Sequence, residues 1–571
     1  MILYPVIWSD KLTDSTANLY YRASGEVRFK DNGVEISRGS VSFDTYFNIF
    51  SSKSFCEHTV LRTAGIDVHC TGSGSVSLYG INENGDKFEL STKQFYGEQT
   101  IRLDFDMLSA EFIFPVIQTD EKCLVTGAVY TTDAVVQKNV SAAIVICTYR
   151  REKYVYSNME RLLSWGLEIP VILVDNAGTI DSSEISYPYC TVYKNKNYGG
   201  SGGFSRGMIE TVRNGNYTHI ILMDDDISFE RTAIEKSLAF LNFRKLEYST
   251  CAIAGGMLQR EKPYYQYEAS ALWKNGSLQH LKNGLDLRSV KQLFVNENND
   301  VPNYGAWWFL CMPVRVIKEH GLPFPFFIKT DDIEYGLRTL NDIVVLNGVG
   351  VWHDSFEGKF RYHLEYYIKR NELVCDAIHS SKPMTLAINK LVRSIAKCLV
   401  GYNYRCLSFI EMAFTDFLKG PDFFLKTDEE QLNSRLMAMN EKQMPISASD
   451  IEKSESTMGA EKKKIKELLS LNGYLIPSIF LKKRVGIVDW SLGHPQNYYG
   501  YKTVIEYDSQ SKCGVIRTMK RSQLFRGVWL LIKTLLALLI KYPGVRKQYQ
   551  RRIGELTSLE FWCSHLDIDK I

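Results

Sequence analysis

The sequence predicts a multidomain α/β protein in three parts: an N-terminal β-sandwich or barrel, a central doubly wound α/β domain and a mostly helical C-terminal domain. Three observations carry this. Short alternating runs punctuated by Gly, Asn and Asp fill the first 135 or so residues, strand-like and helical runs alternate from about residue 140, and helical periodicity prevails beyond 375. At 571 residues the chain exceeds one core, and the length prior gives about three domains, drawn at 1–138, 139–375 and 376–571.

In the first block, EVRFK, GSVSLYG, KFELS and TIRLDFD are the strand-like runs, separated by DNG, SGSG and ENGD. Within it VSFDTYFNIFSSKSF, residues 41–55, is dense in aromatics. Two explanations stand: a glycan-contacting surface, or core and domain-interface packing.

In the central block AAIVIC (142–147), PVILVD (170–175), TVYK (191–194) and HIILMD (219–224) read as buried strands, with helices between them, an alternation that argues a parallel sheet. Loops leaving the carboxyl edge of such a sheet converge on one crevice. Three strands end there in residues with chemistry to offer: Cys147-Thr148-Tyr149-Arg150, Asp175-Asn176, and Asp224-Asp225-Asp226. Side chains alternate on an extended chain, so Asp224 and Asp226 face one way and Asp225 the other. Two carboxylates about 5 Å apart repel by roughly 3 kcal/mol at an effective dielectric of about 20, and a divalent cation relieves this. Oxygen ligands suit Mg²⁺ or Mn²⁺. The plainer alternative is an acidic strand end solvated by water.

Between these strands lies KNKNYGGSGGFSRG, where Gly199, Gly200, Gly202 and Gly203 lead into a helix carrying Arg206. Glycines let backbone approach a phosphate, and a helix N-terminus favours an anion, although a flexible turn explains the run as well. Neither GxGxxG after a first strand nor a P-loop lysine-serine ending is present, so a dinucleotide fold and an NTPase are not supported. Further on, adjacent Trp307 and Trp308 point to opposite faces, leaving at least one free to stack. Asp331, Asp332 and Glu334 open a helix, where they could complement its dipole or supply a general base. His353 follows a strand and could complete an octahedral site with the acidic triplet, or be an ordinary surface or core histidine.

Taken together, NYGGSGGF, MDDDI, WWF, DDIEYG and VWHDSF followed by YYIKRN give Ala142 to about Asn371 a specific resemblance. The span resembles family 2 glycosyltransferases of the GT-A (Rossmann-like) fold, and the motif set is similar to galactofuranosyltransferases that polymerise cell-wall galactan. The segment with FDTYFNIF resembles the β domain that precedes their catalytic domain. The resemblance implies inverting transfer of galactofuranose from UDP-galactofuranose to a hydroxyl of a lipid-linked cell-surface glycan, with Mn²⁺ or Mg²⁺. It implies Asp332 as base, Asp224, Asp226 and His353 at the metal, Thr148, Arg150, Asp175, Gly200, Arg206 and Asp225 at the nucleotide, and Trp307, Trp308 and Asp331 at the acceptor. One position departs: a Trp is expected before the acidic pair, and Thr330 stands there, which bears on acceptor and linkage. A transferase using another nucleotide sugar and a catalytically silent carbohydrate-binding protein are the alternatives.

Beyond 375 come helical segments such as KPMTLAINKLVRSIAKCLV, a polar stretch MPISASDIEKSESTMGAEKKKIKE and a hairpin-like region near 485–520. VWLLIKTLLALLI, residues 528–540, is too short to span a bilayer, which needs about 20 apolar residues. Its basic flanks suit a helix lying at an anionic membrane surface; a buried core helix or an interface between copies of a homo-oligomer fits equally. A formal charge of +3 gives no reason to expect nucleic acid as a partner. The twelve cysteines contain no CxxC pair and the N-terminus no basic leader, so the expected location is the cytoplasm, at the inner membrane face where the helix 528–540 is read as lying on a membrane.

Overall fold

The structure is a computed structural model that describes residues 1–9, 12–30, 33–136, 138–298, 300–355, 362–457, 464–489, 497–509 and 511–569. Parts of the polar stretch (458–463), of VDWSLGHPQ (490–496) and the last residue of VWHDSF lie outside them. Two units partition the chain: 1–323 with 332–354 and 558–571, and 324–331 with 355–557.

In the first unit, eight antiparallel strands between Ile2 and Thr131 form the N-terminal sheet. Its longest strand, Thr63–Ile81, pairs over its first half with Gln99–Asp106 and Cys123–Thr131, and over its second with Lys87–Tyr96 and Phe112–Thr119. The change of partner falls at Gly72, whose φ of +111° and close approach to the Lys122 carbonyl leave no room for a side chain. Ile66 and Val68 before the switch and Val76 and Leu78 after it are all buried, the period of two a strand requires. The aromatic stretch 41–55 is core: Phe43, Tyr46, Phe47, Phe50 and Phe55 are fully buried, Phe55 meeting Phe240 at 5.1 Å and Phe47 meeting Trp352 at 5.5 Å. A glycan-contacting surface is therefore not what those rings provide.

Seven strands build the central sheet, in the order Cys190–Lys194, Val171–Asp175, Ala142–Thr148, His219–Asp224, Phe309–Pro313, Ala252–Ala254, Ile343–Val344. The first four are parallel, as their continuous apolar runs predict. Phe309–Pro313 runs antiparallel to both its neighbours, so the sheet is mixed rather than parallel throughout. Register aligns Asp224 with Cys147 and Asp175 with Thr148, bringing the chemistry-bearing ends to one edge. A smaller sheet pairs Ser228–Phe229 with Gly350–His353, and the latter with Gly256–Gln259.

The glycines of 199–203 lie in the helix Gly199–Asn214. A Cβ on Gly203 would overlap Cys147 Sγ, one on Gly207 would overlap Val145, and one on Gly202 would overlap Tyr198. Gly203 and Gly207 thus permit close packing of the helix on the strand Ala142–Thr148, and Gly202 makes room for Tyr198.

The second unit is mostly helical, with Leu364–His379, Pro383–Val400, Tyr404–Phe417 and Arg521–Leu556 its longest helices and a small five-stranded sheet that includes the hairpin Thr503–Asp508 and Cys513–Thr518. The apolar run 528–540 sits inside a continuous helix of 36 residues, long and apolar enough by composition to cross a membrane, although shortness was expected from its sequence. Leu530, Leu538, Tyr542, Val545 and Tyr549 on one side are buried in this unit.

Candidate functional site

The acidic triplet sits where the strand His219–Asp224 ends, and its neighbours explain the geometry. Two residues past Asp226, Ser228 pairs with Trp352, so the second strand delivers His353 beside Asp226. Ligand atoms of Asp224, Asp226 and His353 lie within 4.8 Å of one another. His353 Nε2 is 3.2 Å from Asp226 Oδ1, and Nδ1 donates to the Asp354 carbonyl at 2.6 Å. A carbonyl only accepts, so Nδ1 carries the proton and Nε2 is the nitrogen available to an ion.

Charge at this edge is only partly compensated. Burial and the nearby Asp226 push Asp224 up to about 7. Burial also raises Asp225, against the pull of Arg151 and the Thr148 hydroxyl. Asp226 is held below its ordinary range, because the hydrogen bond and charge of His353, with Arg151, outweigh its burial. His353 moves up for the reciprocal reason, burial being outweighed by Asp226 and Asp224. Two carboxylates and one imidazole, sharing a pocket with one acid not fully ionised at neutral pH, are a donor set that fits Mn²⁺ or Mg²⁺.

Several expected residues fall at this edge. Thr148 Oγ1 donates to Asp225 Oδ2 at 2.7 Å. Asp175 is fully buried, its carboxylate accepting the N–H groups of Ala177, Gly178 and Ile180 at 2.8–2.9 Å, so it shapes its own loop. Arg151, unremarked in the sequence, reaches the triplet: its guanidinium pairs with Asp225 at 2.9 Å and with Asp226. Arg150 lies instead over the Tyr149 ring at 5.3 Å, with φ +54°. Arg260 was also missed. It donates to the Asp226 carbonyl and to Asp354 Oδ1, each at 2.8 Å, tying the two strand ends together.

Other expectations need correction. Arg206 pairs with Glu210 at 2.8 Å one turn further along its own helix and lies over Tyr193 at 5.4 Å, so its charge is satisfied there. Gly200, in the first turn of that helix, is half-buried. Trp307 and Trp308 do face opposite ways, but the sheet is covered on both sides and neither is free to stack: they are 5% and 7% exposed. Trp308 Nε1 donates to the Gly255 carbonyl at 2.8 Å, and Trp307 packs on Phe204 and Tyr335.

Asp331 is buried at the start of the helix Asp331–Thr339, and Asp332, half-buried, accepts the Ile333 N–H at 2.8 Å. Glu334 of the same motif is fully buried and pairs with Arg338 at 3.0 Å. Gly336 lets the helix approach Asn303 and Tyr304. Structural roles thus account for the second half of DDIEYG.

Residues 143–290 match the family model Glycosyl transferase family 2. Over 424 residues, 67% of this chain and 64% of the relative, the sequence is 27% identical to the galactofuranosyltransferase GlfT2 of Mycolicibacterium smegmatis. Over 447 residues, 69% and 68% of the two chains, it is 27% identical to the GlfT2 of Mycobacterium tuberculosis. The aligned stretch is a little under two thirds of the M. smegmatis protein's length. Among solved structures, the mannosyltransferase PcManGT from Pyrobaculum calidifontis, in complex with GDP-Man and Mn²⁺, is 10% identical with a TM-score of 0.28, the match covering 54% of this chain and 87% of that one.

Proposed function

We propose that this galactofuranosyltransferase-like family 2 glycosyltransferase moves galactofuranose, with inversion, from UDP-galactofuranose to a hydroxyl of a lipid-linked cell-surface glycan. The observation that carries the reading is the convergence of Asp224, Asp226 and His353 within 4.8 Å at the carboxyl edge of the central sheet. Similarity to two galactofuranosyltransferases over two thirds of the chain supports the choice of donor.

Asp224 and Asp226 would each give one oxygen, and His353 its Nε2, to a bound Mn²⁺ or Mg²⁺. When bound, the ion supplies positive charge for the diphosphate as the glycosidic bond breaks. Arg260 keeps Asp226 and Asp354 in register, and Asp354 in turn fixes the tautomer of His353. Arg151, whose side chain is 40% exposed, has N–H groups to offer a phosphate at the same edge. Thr148 and the loop shaped by Asp175 are the side on which the uridine would rest. Asp332 takes the proton from the acceptor hydroxyl as that oxygen attacks the anomeric carbon opposite the leaving diphosphate. A single carboxylate suffices, and no covalent intermediate is needed.

The deciding experiment is a donor screen with the purified chain and Mn²⁺ or Mg²⁺, reading UDP release with and without a lipid-linked galactofuranosyl acceptor. Release from UDP-galactofuranose that rises with acceptor is expected; release only from another donor overturns the sugar assignment. In the same assay Asp332→Ala keeps UDP binding and abolishes transfer, and His353→Ala raises the Mn²⁺ needed for half-maximal rate by about tenfold or more. Near-normal turnover in Asp332→Ala would remove that residue from the base role.

A further inference from the structure

The segment 324–331 enters its helix through a backbone that ordinary side chains avoid. Phe327, Lys329 and Thr330 have φ of +71°, +68° and +70°, the left-handed region where Cβ crowds the next carbonyl. Thr330 is β-branched, for which this conformation is a true outlier. No glycine or asparagine relieves the run, so something outside it must over-determine its course.

That something is the end of YYIKRN, on the helix Leu364–His379. The Asn371 amide donates to the carbonyls of Ile328 and Lys329, at 2.9 and 2.7 Å. Arg370 Nη2 donates to the Phe326 carbonyl at 2.9 Å, and its Nε donates to Asn371 Oδ1 at 2.9 Å, which fixes which way the Asn371 amide faces. Arg370 is fully buried, its guanidinium 4.9–5.3 Å from the rings of Tyr366, Tyr367, Phe423 and Phe424. The Phe327 ring stacks on Tyr367 at 5.6 Å. Backbone carbonyls on both sides of the left-handed residue 327, and that of 329 itself, are each held by a side-chain donor.

We propose that Arg370 and Asn371 are positioning residues for catalysis: they hold 326–330 in its left-handed course and thereby set the start of the helix that carries Asp332. The inference rests on Asp332 being the base. A buried arginine and an amide spent on three carbonyls of one short segment, directly before that aspartate, are its support.

The test uses the full chain with UDP-galactofuranose, Mn²⁺ and an oligogalactofuranoside acceptor. Asn371→Ala is expected to lower kcat about 100-fold, as a misplacement of about 1 Å does, while donor KM and UDP affinity stay near wild type. Asn371→Asp keeps the acceptor for Arg370 and loses both donors, and gives the same kcat loss. Thr330→Asn in the Asn371→Ala background restores much of the rate, because asparagine tolerates positive φ. Wild-type kcat in both Asn371 variants, or a parallel fall of kcat, UDP affinity and melting temperature that Thr330→Asn leaves unrescued, overturns the proposal. Asp332→Ala run alongside separates the two claims: normal turnover there removes the base, whereas an inactive Asp332→Ala beside a normal Asn371→Ala removes only the positioning role.

Discussion

A lysine ammonium deep in a core must be held by something, and Lys236 is held by carbonyls. It is fully buried, donates to Asn347 at 2.7 Å and to Phe47 and Ile49 at 3.4 and 3.5 Å, and lies 4.7 Å from the Tyr4 ring. Burial pushes its pKa down from 10.5 to about 7, against the attraction of Glu297. A base depressed on folding binds fewer protons folded than unfolded between the two values, so stability rises with pH across the window from about 7 to about 10.5. At roughly 1.4 kcal/mol per unit, the whole window is worth about 4 to 5 kcal/mol. Lys236→Met lacks this term. Urea denaturation at pH 7 and pH 10 should therefore show wild-type stability gaining on the variant as pH rises; a difference that stays constant would mean the ammonium is never lost. At this scale the sequence disclosed Asp224, Asp226 and His353 through motif and alternation. It concealed Arg151 and Arg260, whose roles depend on pairings between strands far apart in sequence. It also overstated Arg206, because a helical i, i+4 partner at Glu210 competes for its charge.

Elements show the same division between local pattern and environment. The strand AAIVIC and its neighbours were legible from unbroken apolar runs, but that Phe309–Pro313 inserts antiparallel was not, since register and direction leave no local trace. The helix Arg521–Leu556 makes a sharper case. Phe525, Trp529, Ile532, Leu536, Leu539 and Ile540, spaced on one helical face, are 47–78% exposed, while the opposite face is buried. Arg521 donates to the Tyr474 carbonyl at 3.0 Å and to Ser478, which joins to this stripe a segment where Leu475, Ile479 and Phe480 are 61–79% exposed. Exposed apolar side chains in this number on one helical face are what a membrane or a second protein surface covers. Exposed Lys482, Lys483, Arg484, Arg526, Lys541, Lys547 and Arg551 on the same two segments are charges that an anionic lipid surface would attract. The chain should co-sediment with phosphatidylglycerol vesicles and not with phosphatidylcholine ones. Trp529→Ser with Ile540→Ser should weaken that by at least about a hundredfold, at about 1.5–3 kcal/mol per side chain, with melting unchanged. A chain that ignores both vesicles, and elutes as a dimer which the double change makes monomeric, would name a second copy as the occupant instead.

For the molecule as a whole, sequence order and spatial order part company near the end. Periodicity reads 376–571 as one helical block, yet Ser558–Ile571 belongs with the first unit. The helix Leu559–His565 packs on the Gly-rich helix Gly199–Asn214. Trp562 is 1% exposed, donates its Nε1 to the Pro323 carbonyl at 2.8 Å and lies beside Gly202, while His565 meets the Tyr198 ring at 4.4 Å. Amphipathic spacing predicts that a helix forms but not which core receives it, because the receiving helix Gly199–Asn214 lies more than 300 residues earlier in the chain. Trp562→Ala removes the largest buried side chain of this contact and leaves a cavity, at a cost of about 3–5 kcal/mol. A protein of two units should melt in steps, and the step to follow is the one that UDP with Mn²⁺ raises, since a ligand stabilises only the unit that binds it. That step alone should fall in Trp562→Ala, leaving the other in position. If both steps moved together, or only the step that the ligand does not raise, the C-terminal segment would not be part of the nucleotide-binding unit's core.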